Sequence, residues 1–247
     1  MLPLLRRLLD DDPTAPRLTW YAADHASSGE RIELSARVLA TWVAKTANLL
    51  EEEFEVGPGS VVALDLPTHW RTPVFQLAAW STGAAVRHGA DRPADVLVSS
   101  SVEALQRNGS QDRIAVSLLP LATRFDGELP AGVLDYARVV TGYGDTYVAL
   151  SAPGPEDPAL EVPALAHGRL QAAAQEAGAD WPVGVRLLTD AGPDDVVRGP
   201  LAAWARAGSV VLTPDLDALG ERVVGSERTT ATLRTRPAPP TGSPAQD

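Results

Sequence analysis

The chain has no cysteine, which excludes disulfides and thiolate metal sites. Its 21 basic residues include one lysine, Lys45, so chemistry that needs a lysine must use that residue or do without. Long apolar runs are missing too. The opening MLPLLRRLLDDD is too short to cross a membrane, carries acidic residues where a signal peptidase would cut, and reads as a short amphipathic helix. No basic cluster exceeds Arg6-Arg7, and a formal net charge of −11 repels a nucleic-acid backbone. The four histidines, His25, His69, His88 and His167, show neither H-x-x-H nor H-E-x-x-H spacing, so no metal site is expected. These absences predict a cytoplasmic protein with no nucleic-acid or membrane partner.

What is present is globular. The 247 residues are 45% hydrophobic, enough to bury a core. Two short strands, 17–24 and 30–34, flank a turn at Ser27-Ser28-Gly29. Ser35 is placed as the N-cap of a long helix whose Val38, Leu39, Trp42, Val43, Thr46, Leu49 and Leu50 share one face. Lys45 lies off that stripe, and Gly57-Pro58-Gly59 stops the helix. Strands are expected at 61–66, 95–98, 113–118, 147–150, 185–188, 209–212 and 229–233. Helices are expected within 67–83 and at 165–177, 193–207 and 215–224. This alternation predicts an α/β fold, a mostly parallel sheet flanked by helices. Residues 1–233 read as one domain, or as two subdomains divided near 90–145. The Pro-rich 234–247 reads as a disordered tail.

Weaker signals go to structure. Asp10-Asp11-Asp12 reads as solvated, and Asp194-Asp195 as a helix-start pair. Ser151, His167 and Asp190 do not make a hydrolase triad, since no G-x-S-x-G surrounds the serine. Most of the six tryptophans belong to the core; Trp70, beside Pro67-Thr68-His69, is expected to line a cleft.

One ordered series of motifs goes further. Val56-Gly57-Pro58-Gly59-Ser60-Val61-Val62-Ala63-Leu64 is followed by Ser81-Thr82-Gly83-Ala84-Ala85-Val86. Then come Asp145 to Ser151, Pro158, Ala166-His167-Gly168-Arg169-Leu170, and Pro200-Leu201 through Leu212. The series resembles the N-terminal part of the adenylate-forming, AMP-binding superfamily, the acyl-CoA synthetase-like enzymes. The resemblance implies that family's α/β scaffold, a truncated chain, and a phosphate loop at Ser151, Gly154, Pro158 and His167. In the family that loop uses hydroxyls, backbone N–H groups and a lysine.

Here the loop is degenerate. Ser151 keeps one hydroxyl, Ala159 stands at the lysine position and Leu160 at the last glycine. Pro153, Pro155 and Pro158 offer no N–H, and Glu156 and Asp157 repel an incoming triphosphate. Each lost charge-assisted bond forfeits about 1.5–3 kcal/mol. The expectation is a pseudoenzyme with no catalytic residue and no cofactor. It would bind a protein partner or a small acyl-type ligand, or self-associate. The alternative is one subunit of a split ligase, completed in trans and using ATP and magnesium.

Overall fold

The computed structural model describes residues 2–24, 29–120 and 122–235. The Ser27-Ser28 part of the expected turn, His25, and the tail beyond residue 235 lie outside them. Within the described residues the strands form two sheets. The first is built from β1 (Pro16–Tyr21), β2 (Arg31–Ser35), β10 (Arg186–Thr189), β11 (Ser209–Leu212) and β12 (Ala231–Leu233), in the order β12-β10-β11-β1-β2. Its pairings are parallel except β1 with β2.

The second sheet contains β3 (Val61–Asp65), β4 (Ala85–His88), β5 (Val96–Ser99), β6 (Asp112–Ala115), β7 (Val133–Asp135), β8 (Pro158–Leu160) and β9 (Leu165–Ala166). Its order is β7-β6-β5-β3-β4-β8-β9, with only β9 antiparallel. The chain therefore gives its two ends to one sheet and its middle to the other.

Helix α1 (Pro3–Asp11) precedes the sheets. Ser35 caps α2 (Ala36–Phe54) by accepting the Val38 N–H at 3.3 Å, as its position predicts. Helix α2 packs on β1 and β2, whereas α3 (Arg71–Thr82) packs on β3 and β4. The two helices also pack on each other, so they form a layer between the sheets. Every residue of α3 is buried, including Arg71, Thr72, Gln76, Ser81 and Thr82. A helix buried all round belongs to such a central layer.

Strand alternation divides the core. Val62, Leu64, Leu187 and Val210 point into the main cluster between the sheets. Leu188 and Val211 face outward onto Tyr21, Leu216 and Leu219. Ala63, Leu97 and Ala115 face outward onto Phe125 and onto Leu105 of α4 (Val102–Arg107). After the short α5 (Tyr136–Val139), the remaining helices are α6 (His167–Ala177), α7 (Ala202–Ala205) and α8 (Gly220–Ser226).

Three expectations need correction. Residues 147–150 are not a strand. Tyr147 is buried, but Val148 and Leu150 are 84% and 88% exposed and no sheet partner reaches them. The strand over 113–118 ends at Ala115. The helix expected over 193–207 is interrupted, because Pro200 has no N–H to continue an α-helical ladder. The chain passes through a 3₁₀ turn and a π-turn, with Leu201 N donating to Val196 O at 2.9 Å, before α7 begins.

Two details set the packing tolerance. At Gly208 an added Cβ would lie 2.3 Å from the Val185 carbonyl and 2.7 Å from that of Ala203. On the outer face of the first sheet, Glu227 bonds Tyr21 and Arg186, while Arg31 approaches it at 3.2 Å. Burial pushes the Glu227 pKa up, but these donors and charges outweigh it and hold the carboxyl below its ordinary value.

Gly208→Ala is expected to destabilise the fold by about 2–3 kcal/mol in urea unfolding, because backbone rather than a flexible side chain blocks the methyl. A loss below about 0.5 kcal/mol would contradict that packing. Glu227 has a lowered folded pKa, so its contribution is present above the unfolded value and fades as pH drops from about 5. Glu227→Gln is therefore expected to cost about 2–3 kcal/mol at pH 7 and to flatten the acid limb of a stability–pH profile. An unchanged acid limb would show that Glu227 does not carry that dependence.

Candidate functional site

The segment 141–150 is held by side chains of α2 instead of by a sheet. Lys45 Nζ donates to the Thr141 carbonyl at 3.2 Å and the Tyr143 carbonyl at 2.5 Å, and pairs with Asp145 at 2.7 Å. Asn48 Nδ2 donates to the carbonyls of Gly144 and Thr146 at 3.0 and 2.9 Å. Tyr147 donates its hydroxyl to Glu51 at 3.0 Å, and Leu150 N donates to the same carboxylate at 3.3 Å. The only lysine of the chain is thus committed to a clamp on α2.

The loop from Ser151 to Asp157 folds back on itself. Gly154 N–H donates to Asp157 Oδ2 at 2.7 Å, and Asp157 N–H donates to Gly154 O at 3.1 Å. At the start of α6, His167 N donates to Asp157 O at 2.8 Å and Gly168 N to Pro155 O at 2.9 Å. The contact is tight: a Cβ on Gly168 would sit 2.8 Å from the Pro155 carbonyl. On the other side Pro153 packs against Gly83, where an added Cβ would lie 3.1 Å from Pro153 Cδ and 2.9 Å from Pro58 Cγ. Gly83 also needs its glycine for a φ of +92°.

The four residues singled out in the sequence separate accordingly. Ser151 is exposed beside Gly57, and Pro158 is exposed and opens β8. Ala159 and Leu160 are buried strand residues. Gly154 and His167, by contrast, meet at one groove. The groove consists of two adjoining cavities of about 210 and 450 Å³ that share Leu2, Pro3, Trp80, His167 and Gly168. His167 places Nε2 3.3 Å from the Ala84 carbonyl, and burial holds its pKa below the ordinary imidazole range. Asp190 is bonded to Thr235, and no hydrogen bond among the described residues links it to His167 or Ser151.

The region around Trp70 differs from the expectation of a cleft. Trp70 is buried, edge-on to Trp42 at 5.3 Å and beneath the Arg71 guanidinium at 4.4 Å. The adjacent cavity, lined by Thr68 and His69, measures about 20 Å³, no more than one water requires. Burial and the Arg71 charge push the His69 pKa down to about 3, so its ring is neutral at physiological pH. His88 is unremarkable by spacing, yet its ring bonds Gln76 at 2.9 Å and its Nδ1 lies 2.9 Å from the Asp194 carboxylate, while burial lowers its pKa. Local spacing carries no signal of that contact, since His88 and Asp194 are 106 positions apart. No grouping of three or more potential metal ligands occurs among the described residues, and no helix there is long and apolar enough to cross a membrane.

The fold has known counterparts. The chain is similar to acetoacetyl-CoA synthetase from Streptomyces lividans (TM-score 0.67, 18% identity), covering 85% of this chain and 37% of that one. An acyl-CoA synthetase from Brucella canis gives a TM-score of 0.69 at 16% identity over 86% and 43%. A benzoate CoA ligase from Burkholderia xenovorans LB400 gives 0.68 at 14% over 94% and 50%. The chain thus spans half or less of the length of these enzymes. It is 37% identical over 241 residues to a Mycobacterium tuberculosis (strain ATCC 25618 / H37Rv) protein described as "TIGR03089 family protein", covering 93% of this chain and 96% of that one. No family model matches the chain.

Lys45→Met is expected to cost about 1–2 kcal/mol, since two carbonyls lose a cationic donor. It should also speed protease cleavage within 141–150, read by mass spectrometry of the fragments. Cleavage at the wild-type rate would show that the clamp does not hold this segment. Ring-proton NMR shifts of His69 are expected to stay flat from pH 8 to about pH 4; titration near pH 6 would contradict its neutral burial.

Proposed function

The chain belongs to the TIGR03089 family and has the fold of adenylate-forming acyl-CoA synthetases, and we propose that it is a non-catalytic relative of those enzymes, a ligand- or partner-binding module. One observation carries this reading: in the loop that would cradle phosphate, Gly154 and the first two amides of α6 already donate within the loop. A helix N-terminus or a turn of exposed amides attracts anions because its N–H groups lack partners. Here Gly154 N–H is taken by the carboxylate of Asp157, and the first two amides of α6 are taken by Asp157 O and Pro155 O. A carboxylate inside the loop is an internal anion, and a phosphate would have to displace it.

Charge adds to this. Glu156 lies in the same loop, and Lys45 is bound elsewhere at 2.5 Å from the Tyr143 carbonyl. Nearby Arg169 pairs with Glu176 at 3.2 Å. A triphosphate at this loop would meet carboxylates and prolines, with no lysine to neutralise it.

Isothermal titration with Mg-ATP is expected to give no saturable heat up to millimolar concentration. A dissociation constant in the micromolar range would overturn the reading. Pyrophosphate release with a carboxylic acid, from the chain alone or with a co-purifying protein, would favour the split-ligase alternative instead.

A further inference from the structure

The groove beside the loop has a chemistry of its own. Its walls are Leu2, Leu170, Ala174 and Leu201, with Trp80 along one side. The Trp80 indole N–H already donates to the Ala159 carbonyl at 2.7 Å, so the ring presents apolar surface. Gln171 stands exposed at the rim of the smaller cavity, and two polar points lie deeper. Ser81 lines the larger cavity, is only 6% exposed, and its hydroxyl has no hydrogen-bond partner. His167 lines both cavities; its Nε2 lies 3.3 Å from the Ala84 carbonyl and the ring also meets the Gly83 backbone, and in the Nε2–H tautomer that suits the Ala84 contact Nδ1 is an acceptor.

A buried hydroxyl without a partner costs free energy, and a site that would satisfy it is a site for a ligand. Together the cavities reach the size range of small-molecule sites, which pair an apolar lining with few polar groups. The lining includes no arginine and no lysine, and Glu156 and Asp157 belong to the same loop. A carboxylate or phosphate would enter without a counter-charge and pay its desolvation unaided. A neutral polar group faces no such cost and finds one hydroxyl and one acceptor nitrogen.

We infer that this groove binds an uncharged, largely apolar small molecule bearing a single hydroxyl or N–H group, bonded to Ser81 and His167. The inference rests on reading the chain as a binding module, but the two fail separately: Mg-ATP binding would end that reading without touching the groove.

The test compares two fluorescent probes with the same aromatic body on the full chain. N-phenyl-1-naphthylamine is neutral with one N–H, and 8-anilino-1-naphthalenesulfonate adds a sulfonate. The neutral probe is expected to bind at one saturable site, at least ten-fold tighter than the sulfonate. Ser81→Ala should weaken it roughly three- to ten-fold while leaving the melting temperature unchanged or raised, because the hydroxyl has no partner to lose. Ala205→Phe, which fills the smaller cavity, should weaken it ten-fold or more. Equal affinity for the two probes, no binding of the neutral one, or an unchanged affinity in both variants would overturn the inference.

Discussion

The packing of α2 on α3 is the constraint on which the rest of the structure depends. Each helix lies on its own sheet, and their contact makes one core out of two. Helix α3 can be buried along its whole length only because apolar surface approaches it from both sides. Its polar residues are accommodated one at a time: Thr72 bonds Pro67 O at 2.6 Å, Thr82 bonds Ala79 O at 2.8 Å, and Gln76 reaches Pro193 O at 2.9 Å. The Ser81 hydroxyl, like Arg71 Nε, is left without a hydrogen-bond partner.

From that layer the position of the loop follows. Gly83 ends α3 at positive φ, and Pro58 and Pro153 close on it from either side. The loop is thereby seated on the end of the central layer, with its second half on the start of α6. Once Asp157 caps Gly154 and its backbone carbonyl caps His167, no amide of these is available to an external anion. A side-chain carboxylate and two backbone carbonyls occupy these three donors.

Much of this was legible in the residues, and the failures have physical causes. The Ser35 cap, the β1–β2 pair and most of the α2 stripe rest on local chemistry and lie where the pattern places them, although Val38 of that stripe is 41% exposed. Tyr147 to Leu150 is as apolar as a strand, but Lys45, Asn48 and Glu51 bind its backbone and flanks from α2, and side-chain donors on another element have no periodicity to read. Very short strands such as Leu165–Ala166 exist only through their partner, so propensity is silent about them. The division into sheets was hidden for a similar reason. Residues 16–35 and 186–233 are far apart in sequence, and the strand pairing that joins them is β1 with β11.

The site was legible in its composition and not in its geometry. Three prolines, two acids and no lysine are visible in the string and point against phosphate. That Asp157 turns inward to bond Gly154, so that the loop is capped and not merely depleted, depends on a three-residue turn closing in a particular sense. The groove was not legible at all, because it joins α1, α3, α6 and α7, elements up to two hundred residues apart. Depletion and groove are nevertheless linked. Prolines and alanines that offer no donor also carry no charge, so the same substitutions that deprive an anion of partners leave an apolar wall at Ala152, Pro153 and Pro155. Scarcity of anion partners at this bend and an apolar wall beside it are two consequences of the same residues.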